Sequence, residues 1–464
     1  MSAGRVFKWV GLALVIGCLL VVLACLAVLF INKNDQPPSH AVVRLENLAR
    51  SLPPVADKDN AFIYFMGFSA YPNVDPASAG MQRVDRLRKK TRPPHRSVPD
   101  LPALPYNIGD ARSPEVTALL TKCREADREC ARLLEMHRSV LQSLLQSEQW
   151  LAVRYRTLLS FPEWREIAGP GPEIAELPFD ALLEGQKNHL LTAWVRAGAG
   201  DASGVRQLLE DDMRFWRRSL AGADTLLPKM MAAVAIRRHF MWGSMILRRL
   251  PAHKMMAALP PSWRVPVSDA ERSMLRPVGG EWRVFSTSAK FLRDAPSTSW
   301  MPRDGLAWHD RAVTNFAKST FQLQATSNRQ AELMVAVADA VAVSYEQLPV
   351  AVRQMRLQEK KARQLNLWDS AYNLAGKIVL NEGASEWAKY ASPIADLEGI
   401  RRATLLVAEF RGKGVAAADV RERLKASPVR DPYDGRSFVW SDEAQAIIFV
   451  GLTDGQRGRT VIPY

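Results

Sequence analysis

The strongest pattern in the chain is an uncharged apolar run of 23 residues, Trp9 to Ile31. A helix needs roughly 20 apolar residues to cross the hydrocarbon core of a bilayer, so the run predicts one transmembrane helix. A cleaved signal peptide has a shorter apolar region, about 7–15 residues. A lipoprotein signal is disfavoured because the chain stays apolar well beyond Cys18. The pattern therefore predicts an uncleaved membrane anchor.

The charges that flank the run predict its orientation. Arg5 and Lys8 lie before it, whereas only Lys33, offset by Asp35, follows it closely. The positive-inside rule then places residues 1–8 in the cytoplasm as a short tail. The rest of the chain is accordingly predicted to be a periplasmic domain, held at a bacterial inner membrane by a single-pass helix.

Helical periodicity dominates the chain after residue 112. Ser113-Pro114-Glu115 predicts a helix start, with a capping serine, proline at the first helical position and an acid in the first turn. Residues 224–250 are apolar nearly all round, which predicts a central buried helix and not a second span. Residues 113–426 are thus predicted to form an α-helical body, whose consecutive helix pairs resemble an α-solenoid without any repeated signature. Further helices are predicted over 40–50, 179–197, 204–220, 331–352, 368–380, 397–412 and 416–426.

Three segments lack the helical period. Residues 32–112 are predicted to be a linker and an irregular N-terminal segment, in which 61–68 fits either a buried strand or a packed helix. Residues 251–310 are rich in tryptophan and proline and predict a loop-rich segment. Two strand-like stretches predict a small β-hairpin cap within residues 427–464. The predicted fold class is therefore mainly α, with an N-terminal transmembrane helix, a multi-helix body and a C-terminal β-hairpin.

Composition and net charge indicate which classes of partner the protein could bind. The chain has 464 residues, and its hydrophobic content of 47% is typical of globular proteins. Its net charge of +14 favours anionic lipid headgroups, anionic glycans or an acidic protein partner in the envelope. The membrane tether argues against nucleic acid as a partner. The densest basic stretch, Arg83 to Arg96, is predicted to be a solvated helix end more than a binding patch.

Two cysteines lie outside the span, Cys123 and Cys130. In an oxidising compartment such an isolated pair suggests a disulfide. Seven residues of continuous helix would separate the two Cα atoms by about 10.5 Å, whereas a disulfide needs less than about 7 Å. Either the chain turns between Lys122 and Asp127 and the pair is bridged, which we favour, or the two thiols stay free.

A search for catalytic signatures is largely negative. The sequence contains no HExxH, CxxC, SxxK, GxGxxG or P-loop motif. Its histidines are scattered, so neither a metal site nor a cofactor is predicted. Ser69 lies in the nearest approach to a nucleophile elbow, Gly67 to Tyr71, but Tyr71 replaces the second glycine that this turn requires.

The best candidate for a ligand site is the tryptophan-rich segment. Trp282, Trp300 and Trp308 could line a groove for a glycan or a peptide, because aromatic side chains offer large apolar faces at low entropic cost. The alternative, which we favour, is a loop pinned to the helices by buried indoles.

Several motifs together resemble a known group of proteins. They are Met66–Ala70 with Asp75-Pro76 and Gly80, the cysteine pair before Arg154-Tyr155-Arg156, Phe215-Trp216-Arg217, Tyr372-Asn373 with Gly376-Lys377, and the ending Asp431 to Trp440. This set resembles a family of uncharacterised proteobacterial single-pass inner-membrane and envelope proteins over most of the chain. The resemblance implies location and architecture but no site. The ending also resembles the C-terminal hairpin of secretion pseudopilins, over about 25 residues, whereas the long helical body departs from the pilin plan.

These observations favour a non-enzymatic function. We hypothesise a membrane-tethered periplasmic scaffold or binding module for an envelope partner. One alternative is a cell-wall or glycan hydrolase that uses carboxylates near the tryptophan-rich segment. Another is an accessory protein of secretion or pilus assembly.

Overall fold

The computed structural model describes residues 3–89, 107–167, 177–295, 308–362, 371–382 and 388–464. The chain is 72% helical and carries a small three-stranded antiparallel sheet at its C-terminal end, so the prediction of a mainly α fold is confirmed. The solenoid-like arrangement is not confirmed. Helices of the body range from four residues, Asp269–Arg272, to 25 residues, Ala388–Gly412, and do not repeat one length.

The α-helices follow one another along the described chain as Ala3–Ile31, His40–Ser51, Ala61–Met66, Pro76–Lys89, Pro114–Lys122, Arg128–Met136, Arg138–Ser147, Gln149–Leu159, Phe179–Gly198, Ala202–Gly222, Leu226–Arg249, Ala252–Ala258, Asp269–Arg272, Leu275–Asp294, Trp308–Ser319, Leu323–Ala340, Leu348–Ala362, Leu374–Glu382, Ala388–Gly412 and Val420–Ala426. The three strands are Val439–Ser441, Ala446–Val450 and Arg459–Pro463. The chain forms two compact units: unit 1 comprises residues 1–51, 282–336 and 356–386, and unit 2 comprises residues 52–281, 337–355 and 387–464.

Unit 1 carries the apolar N-terminal helix. Among the described residues, Trp9–Ile31 is the one helix long and apolar enough to cross a bilayer, and its side chains are not packed against protein. The segment that follows it is not a free linker. Asp35 accepts hydrogen bonds from the backbone N–H groups of Gln324 and Ala325, at 2.7 and 2.9 Å, and thereby caps the Leu323–Ala340 helix. The segment that follows the apolar helix is therefore fixed to the Leu323–Ala340 helix through Asp35.

The Leu226–Arg249 helix is the centre of unit 2. It packs against Phe179–Gly198, Ala202–Gly222 and Ala388–Gly412. Tryptophans Trp216, Trp242 and Trp263 are fully buried around it. The prediction of a central buried helix is confirmed, and the nearly all-round apolar surface of this helix is explained by its neighbours on several sides.

The buried carboxylate of Asp212 joins the helices of this core. Its oxygens accept hydrogen bonds from Tyr155 Oη, from His239 Nδ1 at 2.7 Å and from Gln186 Nε2 at 3.2 Å. Trp263 Nε1 donates to His239 Nε2 at 2.8 Å, so the proton of this neutral imidazole is on Nδ1. Burial alone would raise the pKa of Asp212, but its interactions with neighbouring side chains, above all the hydrogen bond from His239, outweigh burial, so the pKa lies below its usual value. We call these groups the Asp212 network.

The stretch 61–68, which the sequence left open, is helical. Asn60 caps the helix Ala61–Met66 by accepting from the N–H of Phe62. This helix contacts Pro76–Lys89 backbone to backbone, because a Cβ atom on Gly80 would lie 1.8 Å from the carbonyl oxygen of Ile63. Only glycine permits this approach.

Residues 251–310 are not mainly loop, and this prediction was wrong for the described part. Leu275–Asp294 is a helix of 20 residues. Pro277 suggested a loop in the sequence, yet it lies in the first turn of this helix. Backbone N–H groups in the first turn have no partner within the helix, so the missing N–H of proline breaks no helical hydrogen bond. Gly280 is also required there, because a Cβ atom would lie 1.8 Å from the carbonyl oxygen of Asp224.

The C-terminal cap is a sheet of three strands where a two-stranded hairpin was predicted. Arg459–Pro463 pairs antiparallel with Ala446–Val450, with Val461 opposite Ile448. Asp396 on the Ala388–Gly412 helix holds this region, because it accepts from Tyr433 Oη at 2.7 Å and from the N–H of Leu452 at 2.7 Å. The third strand follows a loop, and its apolar residues Val461 and Ile462 are adjacent and do not alternate with polar ones, which explains why its pattern was weak.

Cys123 and Cys130 are joined by a disulfide, with Cα atoms 4.7 Å apart. The Pro114–Lys122 helix ends at Cys123, and a new helix begins after Asp127, whose side chain accepts from the N–H of Cys130 at 2.7 Å. The chain thus turns where the geometric argument required a turn.

The Asp212 network gives a testable prediction about stability. Asp212→Ala leaves the Tyr155 hydroxyl and the His239 Nδ1–H without an acceptor in the core, and it removes one of the two acceptors of the Gln186 amide. We expect the free energy of unfolding to fall by about 3 kcal/mol, measured by chemical denaturation. The control is Asp211→Ala, since Asp211 accepts only an exposed bond from Gln207 and its loss should change stability by less than about 0.5 kcal/mol. Equal effects of the two substitutions would contradict the role of the network.

Candidate functional site

A cavity of about 230 Å³ opens on unit 2 beside the Asp212 network. Three helices supply its walls, namely Pro114–Lys122, Phe179–Gly198 and Leu226–Arg249. Each helix presents residues three or four apart, which lie on one face. The lining residues are Gly109, Arg112, Thr117, Leu120, Thr121, Arg124, Glu184, Lys187, Arg238 and Trp242. We call this space the cationic cavity.

One wall of the cationic cavity is a fixed ion triad. Arg112 donates from Nε to Glu148 at 2.6 Å and from a terminal nitrogen to Glu184 at 2.6 Å. Burial would lower the pKa of the Arg112 guanidinium, but the two glutamates outweigh burial and raise it. The triad therefore keeps its charges and carries one net negative charge.

The other cations of the cavity lack such partners. Lys187 Nζ donates to the carbonyl oxygen of Leu120 at 3.1 Å, and Arg238 donates to the carbonyl oxygen of Leu183 at 2.8 Å. Within the described chain, neither forms an ion pair with a carboxylate. Burial lowers the pKa of the Lys187 ammonium to about 8 and also lowers the pKa of Arg238. Both charges are thus held in a poorly solvated position.

This arrangement suits an anion. Lys187, Arg238 and the exposed Arg124 outnumber the single negative charge of the triad, so the walls are net positive. An anion in the cavity would replace the solvation that Lys187 and Arg238 have lost, through charge-assisted hydrogen bonds. Arginine also presents a planar fork of donors that matches a carboxylate or a phosphate.

The cavity offers little for catalysis. Among the described residues, no histidine or cysteine lines it, and its one lining carboxylate, Glu184, is engaged by Arg112. A second pair of acids, Glu166 and Asp224, lies elsewhere in unit 2. Burial and the neighbouring Asp224 raise the pKa of Glu166 to about 7. However, each of the two carboxylates accepts from the backbone N–H of the other residue, which joins two chain segments in a structural contact.

None of the residues predicted from sequence is among the described residues that line this cavity. Trp282 is 6% exposed in unit 1, and its indole Nε1 donates to Ser327 Oγ at 3.1 Å, as expected of a buried anchor. Trp300 lies outside the described residues. Trp308 begins the helix Trp308–Ser319, but its side chain is outside the description. Trp282 is thus the one of the three whose side chain the structure describes, and it does not line the cationic cavity.

The loop around Ser69 is also structural. The guanidinium of Arg154 donates to four of its backbone carbonyls, those of Phe68, Ala70, Tyr71 and Val74. Within the part of the chain that the structure describes, no three histidine, cysteine or acidic side chains converge as metal ligands.

Sequence analysis missed Lys187 and Arg238 as site residues. Arg238 stood out only as a charge that interrupts an apolar helix, and Glu184 with Lys187 is an ordinary helical pair. The signal needed was knowledge of which helices meet, which the sequence does not contain.

No protein family, curated protein or solved structure matches this chain. The resemblance to proteobacterial envelope proteins therefore stays a prediction, and function has to be argued from the site itself.

The lowered pKa of Lys187 predicts a pH dependence of stability. The unfolded chain, with a lysine pKa of about 10.4, binds more protons than the folded chain between about pH 8 and that value. The charged Lys187 therefore lowers the free energy of unfolding at pH 7.5, and this destabilisation is lost near pH 10.5. We expect the stability of the wild type relative to Lys187→Met to rise by about 2 kcal/mol across this window, measured by denaturation at each pH. Parallel pH profiles for the two proteins would contradict the assignment.

Proposed function

We propose that the chain is a membrane-tethered binding module of the bacterial envelope, whose cationic cavity in unit 2 holds the anionic group of a ligand or partner. The observation that carries the proposal is the pair Lys187 and Arg238, which are poorly solvated, donate to backbone carbonyls and form no ion pair with a carboxylate among the described residues. A cavity of about 230 Å³ is smaller than most sites for drug-sized ligands, about 300–1,000 Å³. It therefore fits a small anion or the acidic end group of a larger molecule.

Two features support the location that we propose. The apolar helix Trp9–Ile31 meets the length of a membrane span, and the flanking charges favour a cytoplasmic N-terminus. The Cys123–Cys130 disulfide is typical of proteins outside the reducing cytoplasm. We infer that the extramembrane part lies in the periplasm, anchored at the inner membrane.

The alternative proposal of a glycan hydrolase has less support. Such enzymes generally place two carboxylates on either side of the scissile bond. The cationic cavity offers one, Glu184, and Arg112 already occupies it. Trp282, expected at the rim of a hydrolase cleft, is buried instead. No contact in the described chain favours a role in secretion or pilus assembly.

Binding can be tested with the full chain in nonionic detergent, using phosphate, sulfate and glucuronate as probes in isothermal titration calorimetry. We expect at least one probe to bind, and Arg238→Gln to weaken it about tenfold because a charge-assisted contact is lost. The matched control is Arg237→Gln, since the adjacent Arg237 donates to the carbonyl oxygen of Arg457 and does not line the cavity. Failure of every probe to bind, or equal losses in both variants, would refute the proposal.

The location can be tested by counting free thiols. The chain has four cysteines, and Cys18 and Cys25 in the span are not bridged. Cells would be quenched with acid, denatured and treated with a maleimide polymer, with and without prior reduction. We expect two additions before reduction and four after it, because Cys123 and Cys130 are oxidised in the periplasm.

The control for this count is a double variant, Cys123→Ser with Cys130→Ser. It should show two additions under both conditions. Four additions to the wild type without reduction would mean free thiols and would place this part of the chain in a reducing compartment.

A further inference from the structure

Unit 1 has a cavity of its own, of about 330 Å³, next to the end of the apolar helix. Its lining residues include the polar and charged residues Gln36, Asn328, Arg329, Glu332, Tyr372 and Lys377. We call it the span-proximal cavity. It shares no residue with the cationic cavity of unit 2. The argument for it rests on the membrane anchor proposed above but not on anion binding in unit 2.

Hydrogen bonds fix the span-proximal cavity to the chain that leaves the span. Asn32 directly follows Ile31, and its side-chain oxygen accepts from the N–H of Asn373 at 2.7 Å. Asn373 itself lines the cavity. Asn32 also donates to the carbonyl oxygen of Ala371 at 2.8 Å. One wall of the cavity is therefore in direct contact with the first residue beyond the apolar helix.

A second set of contacts holds the opposite part of the wall. Asn328 accepts from the N–H of Ser39 at 2.9 Å and donates to the carbonyl oxygen of Pro37 at 2.9 Å. Its amide also donates to the side chain of Gln36 at 3.3 Å. Because these bonds join residues nearly 300 positions apart, the cavity is assembled only when the segment after the span docks.

This position predicts the depth of the cavity. The polar headgroup layer of a bilayer extends about 5–8 Å beyond the hydrocarbon core on each side. With Ile31 at the edge of the core, Asn32 and the wall formed by Asn373 lie at the level of the headgroups. Phospholipids are therefore the most abundant ligands within reach of the cavity.

The chemistry of the wall fits a phosphodiester. Arg329 and Lys377 supply cationic donors, and the amide nitrogen of Gln36 supplies a polar donor. Arg329 is half exposed and lies 4.0 Å from Glu332, so this loose ion pair leaves donors of the guanidinium for a ligand. We propose that the span-proximal cavity binds the headgroup phosphate of a glycerophospholipid.

The probe for this site is dihexanoyl-phosphatidylglycerol, a short-chain phospholipid, added to the delipidated full chain in nonionic detergent and followed by native mass spectrometry. We expect one lipid to be retained per chain. Arg329→Gln with Lys377→Gln should weaken retention about tenfold, because two cationic contacts to the phosphate are lost. Unchanged retention in this double variant would overturn the proposal.

Two further variants separate the cavity from general surface charge. Lys33→Gln removes an exposed cation that is closer to the span but does not line the cavity, so retention should not change. Glu332→Gln removes the competing carboxylate and should strengthen retention about threefold. This gain cannot come from misfolding, so it keeps the test valid if the double variant is unstable. Equal losses in Lys33→Gln and the double variant, or no gain in Glu332→Gln, would overturn the proposal.

Free phosphate is the other source of the same chemistry. Glycerol 1-phosphate and inorganic phosphate would be compared with the lipid under the same conditions. We expect both to bind at least about tenfold more weakly, since they lack acyl chains that enter the micelle around the span. Equal affinity for the soluble phosphates would overturn the assignment to a lipid.

Discussion

Asp212 is a carboxylate without access to water, so its hydrogen bonds have to come from the helices around it. Two neighbours in sequence of the donors to Asp212 line the cationic cavity: Lys187 directly follows Gln186, and Arg238 directly precedes His239. Both cations are half-buried. Adjacent helical residues point about 100° apart. On each helix, one side therefore faces Asp212 and the adjacent side faces the cavity. The constraint that satisfies a buried acid also sets the spacing between two cations.

Cross-links between the same helices reinforce this spacing. The amide of Gln186 donates to the carbonyl oxygen of Ala235 on the central helix, and Arg238 donates back to the carbonyl oxygen of Leu183. Unit 1 uses similar chemistry at another place, where Asn32 and Asn373 bond across a buried contact. In both units, buried polar groups form hydrogen bonds with one another, and these bonds define the geometry next to a cavity. Apolar packing supplies stability but would fix these positions less specifically.

Local patterns predicted the features that depend on local physics. The uncharged run to Ile31 and the all-round apolar helix centred on Ile236 needed no partner to be recognised. The turn before Cys130 followed from helix geometry and the limits of a disulfide. Pro277 and Gly280 made this helix hard to predict. The close contact that requires a glycine at position 280 comes from Asp224, which is far away in sequence. The cationic cavity was invisible for the same reason, since Lys187 and Arg238 meet only through tertiary packing.

The partial burial of Lys187 and Arg238 would favour the binding of an anion. Long cationic side chains normally extend into water, and holding them in a poorly solvated place destabilises their charged forms. Backbone carbonyls of Leu120 and Leu183 hold these two instead, on helices that the Asp212 network keeps in register. An anion entering the cavity would restore the lost solvation without ordering either side chain. Affinity would then arise largely from preorganisation, because the cost of immobilising the side chains has already been met during folding.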